Sequence, residues 1–200
     1  MNVSTSSLHQ QLPIIIDIEA SGFGSGSYPI EVGFVLPNGD AFCSLVRPEA
    51  EWTMWDEHAA ELHHISRQML FKRGKSCQET AIWLNRHLRG ATVYSDAWGH
   101  DISWLGLLFE EANVPQLFKV EAITTLLSED QMRIWAEMQA DVIATLNVER
   151  HRASTDALVI QTTYHWVQEQ GKGNPDRRRD PGTVVDSPIK LGTAKTKRTG

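Results

Sequence analysis

The run Ile14-Ile15-Ile16 is short, continuously apolar and β-branched, and it ends directly on an acid, Asp17. Strict alternation would mark a strand with one wet face; an unbroken run suits a strand covered on both faces. The chain that follows supplies the material to cover it. Ile30, Val32 and Phe34 alternate with Glu31, Gly33 and Val35, and Pro37-Asn38-Gly39-Asp40 offers turn chemistry before the apolar stretch Ala41 to Val46, which reads as an antiparallel hairpin. Between Ser76 and Leu88, the residues Cys77, Ala81, Leu84 and Leu88 fall at helical spacing, with Gly90 as a stop and a short strand, Ala91 to Tyr94, beyond it. Ile102, Leu105, Leu108 and Phe109 form a second helical stripe, Leu117 to Val120 is strand-like, and Gln131 to Leu146 has the Ala, Met, Ile and Leu content of another helix. A last helix starts near Ser154 or Thr155, turns Leu158, Ile160 or Gln161, Tyr164 and Val167 inward, and ends at Gly171. The class is α/β, a mixed sheet flanked by helices.

Two hundred residues with 41% hydrophobic side chains fit one domain with a proper core. We expect an N-terminal extension over 1–12, a folded domain over 13–170, and a flexible basic tail over 171–200 whose Gly, Pro, Thr and basic residues cannot build a core. The N-terminus lacks a basic start followed by an apolar run, and no apolar stretch approaches a membrane span, so a soluble, cytoplasmic protein is expected. Cys43 and Cys77 lack the spacing of a zinc site or a disulfide framework and read as small buried hydrophobes. The net charge is −6, but residues 171–200 carry eight Lys/Arg and three Asp, which leaves −11 for residues 1–170. An acidic body repels phosphates unless bound cations reverse the local sign, so either the partner is not a nucleic acid or metal ions intervene.

The carboxylates decide between these. Asp17 and Glu19 stand two apart at a strand end, so both point to one side of the sheet and can reach one ion. Two acids there also suit a merely solvated strand end. Asp101 opens the helix after the Ala91 to Tyr94 strand, where the helix dipole alone favours an acid, and Asp96 equally suits a turn. Parallel strands feeding helices would nonetheless bring this junction to the crevice that holds Asp17, provided the two strands are neighbours. His151 and Asp156 pair a loop imidazole with an acid on the first turn of the last helix, where capping is the bland alternative.

Taken in order, D-x-E on a first strand, Asp at a strand-to-helix junction and H-x-x-x-x-D at a terminal helix make the sequence resemble the DEDD superfamily of 3′ to 5′ exonucleases, in its histidine-containing (DEDDh) branch, which includes polymerase proofreading exonucleases. IIIDIEASG is similar to the first motif, YPIEVGFV to the strand after it, AWGHDISWL to the second motif and HRASTDAL to the third, while AAELHHIS looks like the loop that meets the 3′-terminal nucleotide. The resemblance implies a ribonuclease H-like fold and two divalent ions, Mg²⁺ or Mn²⁺, held by Asp17, Glu19, Asp101 and Asp156, with Asp17 bridging them. It implies that His151 acts as general base, that Ala20, Ser21, His63 and His64 contact substrate, and that DNA or RNA 3′ ends are the partners, yielding nucleoside 5′-monophosphates. The competing reading is a noncatalytic nucleic-acid or protein-binding module on the same fold.

Four positions depart from the family pattern: Ala20 replaces a frequent threonine, His64 a glycine, His100 the usual aromatic, and Asp96 stands near a common Asn. These touch substrate contacts and leave the carboxylate set whole. Adjacent His63 and His64 seldom share an ion, so they read as substrate contacts or plain surface. Of seven tryptophans, Trp52, Trp55 and Trp98 are candidates to stack on bases, while Trp83, Trp104, Trp135 and Trp166 lie in predicted helices where packing is the default.

Overall fold

The structure, a computed structural model, describes residues 11–148 and 150–172. Most of the expected N-terminal extension, and the expected tail beyond its first two residues, lie outside the described residues. Five strands and six helices follow one another as β1 (Ile14–Ala20), β2 (Pro29–Val35), β3 (Ala41–Leu45), α1 (Glu57–His63), α2 (Arg67–Arg73), α3 (Cys77–Leu88), β4 (Thr92–Ser95), α4 (Trp98–Glu111), β5 (Lys119–Ala122), α5 (Glu129–Leu146) and α6 (Ala153–Lys172). The sheet order is β3-β2-β1-β4-β5. β1 pairs antiparallel with β2 and parallel with β4, so the expected central strand sits between the hairpin and the βα half of the fold. The hairpin turn is the expected one: Gly39 takes φ +85° and Leu36 and Asp40 close it through a 3.0 Å N–H···O bond.

Period-two geometry sorts β1 between two layers. Ile16 and Ile18 join Ile30, Val32 and Phe34 of β2 in the larger core, beneath Leu84 and Leu88 of α3 and Leu105 and Leu108 of α4. Ile15 and Val35 face the other way, against Ala157, Ile160 and Tyr164 of α6. Asp17 and Glu19 therefore lie on the α6 face. β2 is buried along its whole length, including Glu31 and Gly33, because α6 covers the face that a simple hairpin would leave wet.

Several local expectations shift. Ile102 leaves the helical stripe: it is 38% exposed, while Asp101 and Trp104 take the inner face of α4. α6 starts at Ala153 and runs through Gly171 to Lys172, and the late strand lies at Lys119–Ala122 rather than at Leu117 to Val120. The segment AAELHHIS, expected as a loop, is helical up to His63, where His64 in the left-handed region (φ 54°) ends α1. Cys77 is buried as expected, but Cys43, on edge strand β3, is exposed. Among the described residues no helix is long and apolar enough to cross a membrane.

Candidate active site

The site forms where the C-terminal ends of the parallel strands β1 and β4 meet the N-termini of α4 and α6, the crevice such a sheet leaves open. A register shift between Glu19 and Ala20 interrupts the β1–β2 ladder directly after the D-x-E pair. Asp101, one turn into α4, is 1% exposed and accepts a short hydrogen bond from the Ser95 hydroxyl at the end of β4. Asp156 lies on the first turn of α6, with Oδ1 accepting from Arg150 Nε at 2.6 Å and Oδ2 from the His151 amide at 3.1 Å. His151 itself sits in a left-handed backbone conformation (φ 64°) and is half-buried. Glu19, His151 and Asp156 each present a ligand atom, all within 4.8 Å of one another.

The electrostatics carry the mark of acids gathered without enough cations. Burial raises the Asp17 carboxyl well above the ordinary carboxylate range, and Asp101, Glu19, Asp156 and Asp96 push it further in the same direction. Burial raises Glu19 to about 7, with Asp156 and Glu31 adding to the rise and Arg152 opposing it. Asp101 is likewise raised, first by burial, against the pull of the Ser95 hydrogen bond. Hard oxygen donors converging in this way suit a divalent cation, and a bound one would remove the repulsion that raises them.

The expected substrate residues are placed unevenly. Ala20 and Ser21 are buried; Ser21 Oγ accepts from the Tyr28 amide at 3.1 Å and closes the loop after β1. His63 is 3% exposed, which removes the plain-surface reading. Its Nδ1 accepts from the Ile65 amide at 3.1 Å, and burial lowers its pKa to about 4. His64 is exposed and lines an open cavity of about 730 Å³ with Trp55, Glu61 and Arg67. Trp52 is buried against Tyr28, ring centroids 5.2 Å apart, while Trp98 remains 41% exposed. Asp96 is exposed at the rim, where Gln139 Nε2 approaches its Oδ2 at 3.4 Å.

Sequence reasoning missed Phe23. It is 68% exposed beside the site and packs edge-on against His100 at 5.6 Å; His100 in turn stacks on Trp104 at 5.5 Å. An aromatic in the glycine-rich segment GFGSGS, which has no core to join, was the available signal. Glu31, Arg150 and Arg152 were also missed as neighbours of the site; no local pattern marks them.

No protein-family model matches the sequence, and no curated protein matches it. Solved structures do match in fold. Exonuclease I from Methylocaldum szegediense superposes with a TM-score of 0.61 at 14% identity, covering 80% of this chain and 40% of that one. E. coli exonuclease I in complex with a 5cy-dT13 oligonucleotide gives 0.62 at 10% identity over 82% and 42%. The zinc-bound form of the E. coli protein with single-stranded DNA gives 0.59 at 10% over 82% and 41%. The fold therefore defines an α/β, ribonuclease H-like protein. More narrowly, it is the fold found in the exonuclease I structures, and this chain spans about four-tenths of their length.

Proposed function

We propose that this chain is a metal-dependent 3′ to 5′ exonuclease that hydrolyses phosphodiester bonds at DNA or RNA 3′ ends and releases nucleoside 5′-monophosphates. The observation that carries this reading is convergence: Asp17, Glu19, Asp101 and Asp156, spread over 140 positions of sequence, gather at one crevice with His151 beside them. The likeness to exonuclease I structures solved with oligonucleotides supports it.

The four carboxylates would hold two divalent ions, which when bound activate the attacking water and stabilise the leaving 3′ oxygen. The protein's own residues do the rest. His151 accepts the water's proton on the ring nitrogen that faces Glu19 and Asp156. Arg150 keeps Asp156 oriented, and Ser95 keeps Asp101 oriented, so neither carboxylate has to be ordered at the moment of reaction. The exposed ring of Phe23 offers a stacking face for a base, which is independent of base identity.

Incubation of 3′- and 5′-labelled DNA and RNA oligonucleotides with Mg²⁺ or Mn²⁺ tests the proposal. The expected result is immediate loss of a 3′ label as mononucleotide, with 5′-labelled products shortening stepwise, and no cleavage by Asp17→Ala. Binding of metal and oligonucleotide without cleavage by the unaltered protein would identify a noncatalytic module instead. Near-normal turnover by Asp17→Ala in saturating Mg²⁺ would refute the carboxylate cage.

A further inference from the structure

Glu31 is the third residue of β2 and fully buried, and a carboxyl group there needs polar partners. Two successive residues supply them. Arg152 donates to both carboxylate oxygens, Nη2 to Oε1 at 2.6 Å and Nε to Oε2 at 3.1 Å, and the Ala153 amide donates to Oε2 at 3.0 Å. Ala153 is the first residue of α6, and Arg152 directly follows His151. Glu31 thus grips Arg152, which links the imidazole to α6, and Ala153, the first residue of the helix that bears Asp156.

The sheet register gives this grip a direction. Across the β1–β2 ladder Glu19 pairs with Glu31, and Asp17 pairs with Gly33. All four lie on the face that α6 covers, so the candidate ligands on β1 sit beside the two β2 positions on which α6 rests. At Gly33 the fit is close: a Cβ there would come within 2.3 Å of the Ser154 nitrogen and 2.4 Å of the Ala153 carbonyl carbon. Gly33 lets the helix start down onto the sheet, and Glu31 holds it there by a bidentate, charge-assisted pair, the geometry that fixes orientation as well as distance.

We propose that Glu31 is a positioning residue for the reaction: through Arg152 and Ala153 it sets where His151 and Asp156 stand relative to Asp17 and Glu19. This rests on the exonuclease reading for its catalytic consequence, but its structural content can be read separately. Arg152 is 42% exposed along its side chain, so when Glu31 is neutralised the guanidinium keeps access to water and no charge is left buried without a partner.

Glu31→Gln separates the two grips. The amide oxygen can still accept from Ala153 N–H, whereas its NH₂ group faces the guanidinium as a second donor and the bidentate pair is lost. We expect kcat to fall tenfold or more, KM for a short oligonucleotide to change less than threefold, and hydrogen exchange at the His151 amide to speed up while core amides of β1 and β4 keep their protection. Arg152→Lys, which keeps the cation but cannot make the bidentate pair, should move all three in the same direction. Wild-type kcat in Glu31→Gln, or a lower melting temperature with kcat per folded molecule unchanged, would overturn the proposal and leave Glu31 a purely structural ion pair. Should Glu31→Gln fail to fold, Arg152→Lys carries the same test, since it keeps a cation beside the buried carboxylate and removes only the bidentate geometry. If the unaltered protein cleaves no oligonucleotide, the exonuclease reading fails and the exchange measurement alone decides: an unchanged His151 amide would then reject the positioning role.

Discussion

Replacing Glu19 with glutamine should make the metal-free protein more stable, not less. Glu19 is raised from an ordinary 4.5 to about 7 by burial, Asp156 and Glu31. That disfavours its charged form by about 3 kcal/mol. The side chain is only half-buried, so solvent and relaxation reduce the effect, and about half of it, ~1.5 kcal/mol, should be measurable. The sign follows from proton linkage: the native carboxyl keeps its proton up to about pH 7, while the unfolded one releases it near 4.5. The wild type therefore loses stability as pH rises between those values, and glutamine has no proton to lose. In EDTA the two proteins should melt together near pH 4, diverge above the unfolded value, and differ by roughly 3–6 °C at pH 8. Adding Mn²⁺ or Mg²⁺ at about 100 times the dissociation constant should stabilise the wild type by about 2.7 kcal/mol and the variant far less, reversing their order. Thermal melts across pH 4 to 8.5, with and without metal, read all of this. A Glu19→Gln protein that is no more stable than wild type at pH 8 in EDTA would refute the argument that uncompensated charge gathers at this crevice.

His151→Ala should lower turnover by roughly 10² to 10⁴-fold while weakening metal binding much less than Asp156→Ala does, measured by kinetics and by titration calorimetry. Equal loss of metal affinity in both variants would make His151 a ligand. Gly33→Ala should cost about 1–3 kcal/mol, because the β2–α6 approach must open, and should lower kcat as the third motif moves away from the first; a variant with wild-type melting temperature and kcat would contradict the close contact. Deleting residues 173–200, most of the basic tail, should raise KM on long substrates and flatten their salt dependence without altering kcat on a dinucleotide, and unchanged salt slopes would assign the tail no phosphate contact.

How much of this could be read from sequence varied with how local each cause is. The central strand was legible because Ile14-Ile15-Ile16 is apolar on both faces, and the shared face of Asp17 and Glu19 follows from the strand period alone. The α3 stripe, with Cys77, Ala81, Leu84 and Leu88 all buried, was equally open. Helices α1 and α2 were not, since seven residues hold too few turns for a periodic stripe to emerge. Ile102 was misplaced for a related reason: on α4 the buried acid Asp101 takes a core-facing position, and hydrophobic periodicity cannot anticipate a polar residue held inside by a hydroxyl on the preceding strand. Glu31 showed in the sequence only as one of the residues alternating with Ile30, Val32 and Phe34. Its role depends on Arg152, 121 residues away, and nothing near Glu31 in sequence announces that partner.

The left-handed backbone at His151 sets two demands against each other at one residue. Histidine tolerates that conformation better than β-branched residues do, but glycine adopts it more easily, by about 1 kcal/mol. Selection for thermal survival alone would drift toward glycine there and would erase the imidazole without disturbing a single core contact. A hardened version of this protein must therefore find its added stability elsewhere, for instance along the exposed face of α5, and any survey of tolerated substitutions that scores folding only will rank as an improvement the change that silences the site.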